Sequence, residues 1–140
     1  MSHENLKNRT KQFALSVIDL VESLPTGRTT AVIGNQLLRS GTSVGANYRA
    51  ACRARSSADF IAKMGVVEEE SDESAYWMEL LIERKKVDPA AVAPVLKEAN
   101  ELLAICVASI NTAKKNIGTT KPRRVAGGTP RSTLRTPHLP

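Results

Sequence analysis

Arg39, Ser43 and Asn47 recur at intervals of four residues, and Gly41 and Gly45 lie between them. On a helix that spacing places the three polar groups on one stripe. Small residues beside a polar stripe mark a close approach by another helix, another subunit or a ligand. The chemistry such a stripe offers is hydrogen bonding and ion pairing. Glu70 and Glu73, three residues apart, could do acid–base work or hold a metal; equally, they could pair with arginines of the preceding helix or face solvent. Arg49, Arg53, Arg55 and Lys63 form a basic group around one predicted turn. Arg49 and Arg53 are one helical turn apart, so the group suits phosphate as well as it suits acids within or between subunits.

The remaining residue pattern argues against catalysis. His3 and His138 are the only histidines, and both fall in segments expected to fray. No positioned histidine base, and no Cys–His or Ser–His pair, is therefore expected. There is no Glu-x-x-His motif to ligate two metals inside a helical bundle. Gly41-Thr-Ser-Val-Gly45 lacks the spacing and the Lys-Ser/Thr ending of a phosphate loop. No catalytic residue, metal or cofactor is expected. Gly41 and Gly45 do form a G-x-x-x-G, which in a chain without an apolar span reads as close helix–helix contact. Ser43 and Asn47 read as structural or assembly residues, since a buried Asn can set register or oligomer state.

The elements that must position these groups are helical throughout. Leu6, Phe13, Val17, Val21 and Leu24 give a first helix over about 5–24, closed by Pro25-Thr-Gly27. Ile33, Leu37, Val44, Tyr48 and Ala51 continue one period through both glycines, which predicts an uninterrupted second helix over about 30–54. Ser56 is a predicted N-cap with Asp59 three residues later. Phe60, Met64, Val67, Ser71, Ser74, Met78 and Leu81 then alternate by four and three, a heptad-like seam with two small polar members. Trp77 lies one turn beyond Glu73, on an adjacent face. Either two faces of this helix are committed to contacts, as in an oligomer, or Trp77 closes one end of the core. Asp88-Pro89 opens a fourth helix as N-cap and first helical residue. Turns this short imply an all-α, antiparallel up-down-up-down four-helix bundle over residues 1–116.

Residues 117–140 turn to Thr, Pro, Arg and Gly and are expected to form a disordered basic tail. The net charge of +6 divides unevenly: Lys121, Arg123, Arg124, Arg131 and Arg135 make the tail +5, leaving a nearly neutral body. An acid-free extended segment of this kind suits sequence-independent phosphate contact or simple solubility. No stretch is long and apolar enough for a membrane span, and the first residues do not resemble a secretory signal. Cys52 and Cys106, without CxxC spacing, read as reduced, buried groups of a cytoplasmic protein.

Leu37-Leu-Arg-Ser-Gly-Thr-Ser-Val-Gly-Ala-Asn-Tyr-Arg-Ala-Ala-Cys-Arg-Ala-Arg-Ser56, with Asp59-Phe60 and Glu70-Ser-Asp-Glu-Ser-Ala-Tyr-Trp-Met-Glu-Leu-Leu81, resembles the four-helix bundle family of 23S rRNA intervening-sequence proteins. The resemblance covers roughly residues 5–115. It implies a homopentamer and matches Arg39, Ser43, Asn47, Arg55, Asp59, Glu70, Glu73 and Trp77 to characteristic family positions, none of them catalytic. A related member, the accessory variability protein of diversity-generating retroelements, is a basic pentamer that binds nucleic acid and a reverse transcriptase. The near-neutral body and the Pro/Arg tail depart from that relative.

The expectation is thus a non-enzymatic homo-oligomer serving as a nucleic-acid or ribonucleoprotein accessory factor, with RNA, DNA or a protein such as a reverse transcriptase as partner. Arg49, Arg53, Arg55, Lys63, Arg123 and Arg124 would meet phosphate. Arg39, Gly41, Ser43, Gly45, Asn47, Asp59, Glu70, Glu73 and Trp77 would serve helix or subunit packing. The rival expectation is a protein-interaction scaffold without nucleic-acid binding.

Overall fold

The structure, a computed structural model, describes residues 2–119. They form four helices: α1 (His3–Glu22), α2 (Arg28–Cys52), α3 (Ser57–Glu83) and α4 (Pro89–Thr119). Each helix packs on its neighbours in sequence, α1 and α4 meet only lightly, and the backbones of the diagonal pairs stay apart. This is the all-α up-down-up-down bundle that the short turns require. α4 runs to Thr119, past the expected boundary at 116, and the tail beyond it lies outside the described residues.

Local signals set most helix ends. Ser56 caps α3 by accepting from the Asp59 N–H at 3.0 Å. The Asp59 carboxylate reaches back to the Arg55 N–H at 3.2 Å and accepts from Lys63 Nζ at 2.6 Å. Lys63 first, and the Arg55 N–H next, hold that carboxyl below its usual range. Asp88 accepts from the Ala90 N–H at 3.1 Å and so starts α4. α3 ends in a Schellman arrangement: the Lys86 N–H reaches Leu81 O, and the Lys85 N–H reaches Ile82 O, both at 2.9 Å. Lys85 sits there at φ 57, a left-handed conformation usually given to Gly.

One core runs the length of the bundle. Phe13 and Val17 meet Leu37 and Val44 of α2, Met64, Val67, Met78 and Leu81 of α3, and Val92, Ala99, Leu102 and Cys106 of α4, all nearly inaccessible. The two serines in the α3 seam are buried yet satisfied, because Ser71 donates to Val67 O and Ser74 to Glu70 O, both at 2.8 Å. Ser74 also hydrogen-bonds Ser40 across the α2–α3 interface at 3.0 Å.

α2 is continuous through Gly41 and Gly45 because both face α1 at close range. A Cβ on Gly41 would lie 2.7 Å from Val17 Cγ1, and one on Gly45 would lie 3.1 Å from Thr10 Oγ1. Each Gly costs a helix about 1 kcal/mol relative to Ala, which burial of Val17 and Thr10 offsets. Gly65 on α3 has open space around its Cβ position. Urea unfolding should therefore separate the two glycines by sign. Gly41→Ala should destabilise by about 1–3 kcal/mol through overpacking, whereas Gly65→Ala should stabilise by up to about 1 kcal/mol. Lys85→Gly, which relieves the left-handed residue, should also stabilise by about 1 kcal/mol.

Candidate functional site

The polar residues of α2 and α3 meet along the outer edge of their interface. Arg39 lies across from Glu70 and Glu73: its Nη1 is 3.3 Å from Glu70 Oε2, and its Nη2 bonds Glu73 Oε2. These hydrogen bonds, that to Glu73 first, raise the Arg39 pKa and keep the guanidinium charged. Glu73 Oε2 also accepts from Trp77 Nε1 at 3.1 Å. Trp77 is half-buried, with Tyr76 edge-on to it at 5.0 Å between centroids. The two carboxylates are thus occupied by a cation and an indole, and among the described residues no group of three or more His, Cys, Asp or Glu is placed to hold a metal.

The stripe and the glycines, expected on one face, lie on opposite sides of α2. At about 100° of turn per residue, Arg39, Ser43 and Asn47 centre roughly half a turn from Gly41 and Gly45. The glycines are buried against α1, Arg39 is exposed, and Ser43 and Asn47 are half-buried. Interleaving in sequence is not adjacency on a helix. Ser43 donates to Arg39 O at 2.6 Å, and Asn47 Nδ2 donates to Ser43 O at 2.8 Å, so both bond back to their own helix.

The basic group also divides. Lys63 is tied to Asp59, and Arg55 is next to the same carboxylate. Arg53 donates to Arg49 O at 3.2 Å. Arg49 turns toward α1, where it shares a groove of about 510 Å³ with Lys7 and Lys11. Thr10, Thr42, Gly45 and Ala46 also line it, and Glu4 is its one acid. None of the three cations makes an ion pair among the described residues. Lys7 and Lys11 were not singled out in sequence, since i, i+4 lysines on an exposed helix face are commonplace. Arg123 and Arg124 lie outside the described residues.

Sequence reading also missed the clamp between α1 and α4. Arg9 donates through Nε to Glu98 Oε2 at 2.9 Å and through Nη2 to Glu98 Oε1 at 2.5 Å, and it reaches Glu101 at 3.1 Å. The partners are 89 residues apart, so no local pattern announces them. The expectation for His3 needs correction. Instead of fraying, it begins α1 with Nδ1 3.4 Å from Cys52 Sγ, and a Cys–His pair exists after all. Cys52 is half-buried at that contact, while Cys106 is buried as expected.

The 23S rRNA-intervening sequence protein family matches residues 4–108, which carry the whole α2–α3 seam and the α1–α2 groove. The chain belongs to that family. It is similar to a protein of unknown function from the S23 ribosomal protein family of Bacteroides thetaiotaomicron VPI-5482, known from a crystal structure. The two share 32% identity with a TM-score of 0.73, over 79% of this chain and 99% of that one. No curated protein matches the chain. Among the described residues no helix is long and apolar enough to cross a membrane.

The Arg39–Glu73–Trp77 bridge has a measurable salt signature. Arg39→Met should cost about 0.5–1 kcal/mol in urea unfolding at low salt, as expected for ion pairs still open to solvent at the arginine. The loss should shrink in 1 M NaCl, where the Debye length falls to about 3 Å. Trp77 is the only tryptophan, so its fluorescence reports the transition.

Proposed function

We propose that this family member is a non-enzymatic, homo-oligomeric accessory protein that holds the phosphate backbone of a nucleic acid in the α1–α2 groove. The observation that carries the reading is the convergence of Lys7, Lys11 and Arg49 on one depression with a single acid, Glu4. Lys7 and Lys11 are one turn apart, about 6 Å along the axis, and Arg49 supplies a planar donor fork from the facing helix. Gly45 lets the two helices approach, which brings cations from both onto one strip. Asn8 and Thr42 add neutral hydrogen-bonding groups. Nothing in this arrangement reads a base, so binding would be electrostatic and indifferent to sequence. Arg53, one turn beyond Arg49, extends the strip; Arg55 and Lys63, engaged at Asp59, contribute less. Arg123 and Arg124 would add to the same attraction.

Self-association belongs to this reading as well. The resemblance implies a homopentamer, and exposed Tyr76 and Val66 on α3 offer apolar surface for a neighbouring copy. The same residues favour the alternative, a scaffold that binds a protein partner such as a reverse transcriptase without nucleic acid. Cytoplasmic location is part of the proposal.

Filter binding of single-stranded RNA and duplex DNA across a salt series tests the reading. Replacing Lys7, Lys11 and Arg49 together by Glu should lower affinity by about 100-fold or more at 50 mM salt and flatten the salt slope by about three contacts' worth. A chain ending at residue 120 should keep that sensitivity. Affinity unchanged by the triple replacement would overturn the groove, and affinity lost only with the tail would move the site there. Light scattering on the eluting protein, with a monomer as the contrary result, tests assembly.

A further inference from the structure

Cys52 ends α2 at the point where α1 begins, and the fold brings three reactive side chains together there. His3 Nδ1 lies 3.4 Å from Cys52 Sγ. The His3 ring is tilted against Tyr48, with centroids 6.3 Å apart. Tyr48, one turn before Cys52, is buried, and burial first and the neighbouring Cys52 next hold its phenol protonated. His3 and Tyr48 also line a groove of about 510 Å³, with Leu6, Phe60 and Ile105 among its apolar walls and Ser109 and Thr112 among its polar ones. The groove opens where α1 and α4 pack lightly, so it is a feature of the bundle's loosest joint.

The second cysteine provides an internal contrast. Cys106 is buried in the core, and burial, with Glu68 adding, pushes its thiol up to about 12. A thiol reacts through its thiolate, so accessibility and a nearby base decide which cysteine of a chain is reactive. Cys52 has both, and Cys106 has neither. Neither residue serves the phosphate groove, which lies on the α1–α2 face lined by Lys7, Lys11 and Arg49.

We propose that Cys52, assisted by His3, is a covalent modification site for α,β-unsaturated carbonyl compounds with an apolar tail, the tail resting in the groove walled by Leu6, Phe60 and Ile105. His3 takes the thiol proton as Cys52 Sγ attacks the β-carbon. The carbon–sulfur bond forms, the carbon–carbon π bond breaks, and its electron pair moves through the carbonyl as an enolate. The proton held on His3 returns to the α-carbon, so the saturated thioether adduct needs no oxidant and releases no leaving group. Tyr48 positions the imidazole and does not enter the reaction. The site stands independently of the nucleic-acid reading.

Intact mass and peptide mapping of the full chain test this with iodoacetamide, propenal and trans-2-nonenal. Cys52 should be alkylated at least about tenfold faster than Cys106 by iodoacetamide. His3→Ala should slow Cys52 by about tenfold or more with unchanged unfolding midpoint, and added imidazole should restore the rate. The nonenal-to-propenal rate ratio should be about tenfold higher on the folded chain than on the urea-unfolded chain, reflecting tail burial. A Cys52 rate indifferent to His3→Ala, or unrestored by imidazole, would overturn the base. An unchanged aldehyde ratio on unfolding would overturn the groove as the tail's site.

Discussion

α1 and α2 approach so closely that a methyl group added at Gly41 would collide with Val17, and one added at Gly45 would press on Thr10. That proximity governs much of what surrounds it. It lets α2 run as one rod despite two poor helix formers, because burying Val17 and Thr10 against the bare backbone outweighs a propensity cost of about 1 kcal/mol at each Gly. It also narrows the outer α1–α2 surface until Lys7, Lys11 and Arg49 line one groove. The glycines act through the backbone spacing they permit.

On the other side of α2 the interface with α3 is specified by polar contacts. The Ser40–Ser74 hydrogen bond is buried in it, and the Arg39–Glu70–Glu73–Trp77 group covers its outer edge. Every buried hydroxyl there has a partner, so the seam adds register without leaving an unsatisfied group. The charged part joins an exposed arginine to two half-buried carboxylates and is worth little in stability, about 1 kcal/mol. Its value lies in fixing the Trp77 indole and leaving Tyr76 presented on the surface.

The α1–α4 joint is the counterpart of these tight contacts. Its light packing is supplemented by the Arg9 fork onto Glu98 and Glu101, a geometry in which two parallel charge-assisted bonds hold orientation as well as distance. Toward the bundle end the joint widens into the groove lined by His3, Leu6 and Ile105. The first and last helices are not joined by a turn, and theirs is the lightest of the four helix contacts.

The helix count, the order of the elements, the uninterrupted α2 and the Ser56 and Asp88 caps were all legible in the residues, because periodicity and capping act over one or two turns. The G-x-x-x-G was read as a close helix contact, and the α2–α3 pairing of Arg39 with Glu70 and Glu73 was one of the readings left open. What no spacing could reveal was the side of each contact: that the glycines turn to α1 while Ser43 and Asn47 bond to their own helix, that Arg49 joins Lys7 and Lys11, that Arg9 finds Glu98, and that His3 is held beside Cys52. Those pairings join residues up to 89 apart and follow from how four amphipathic rods rotate to bury one core. Rotation about a helix axis is decided by packing against neighbours, and only the assembled tertiary structure contains them.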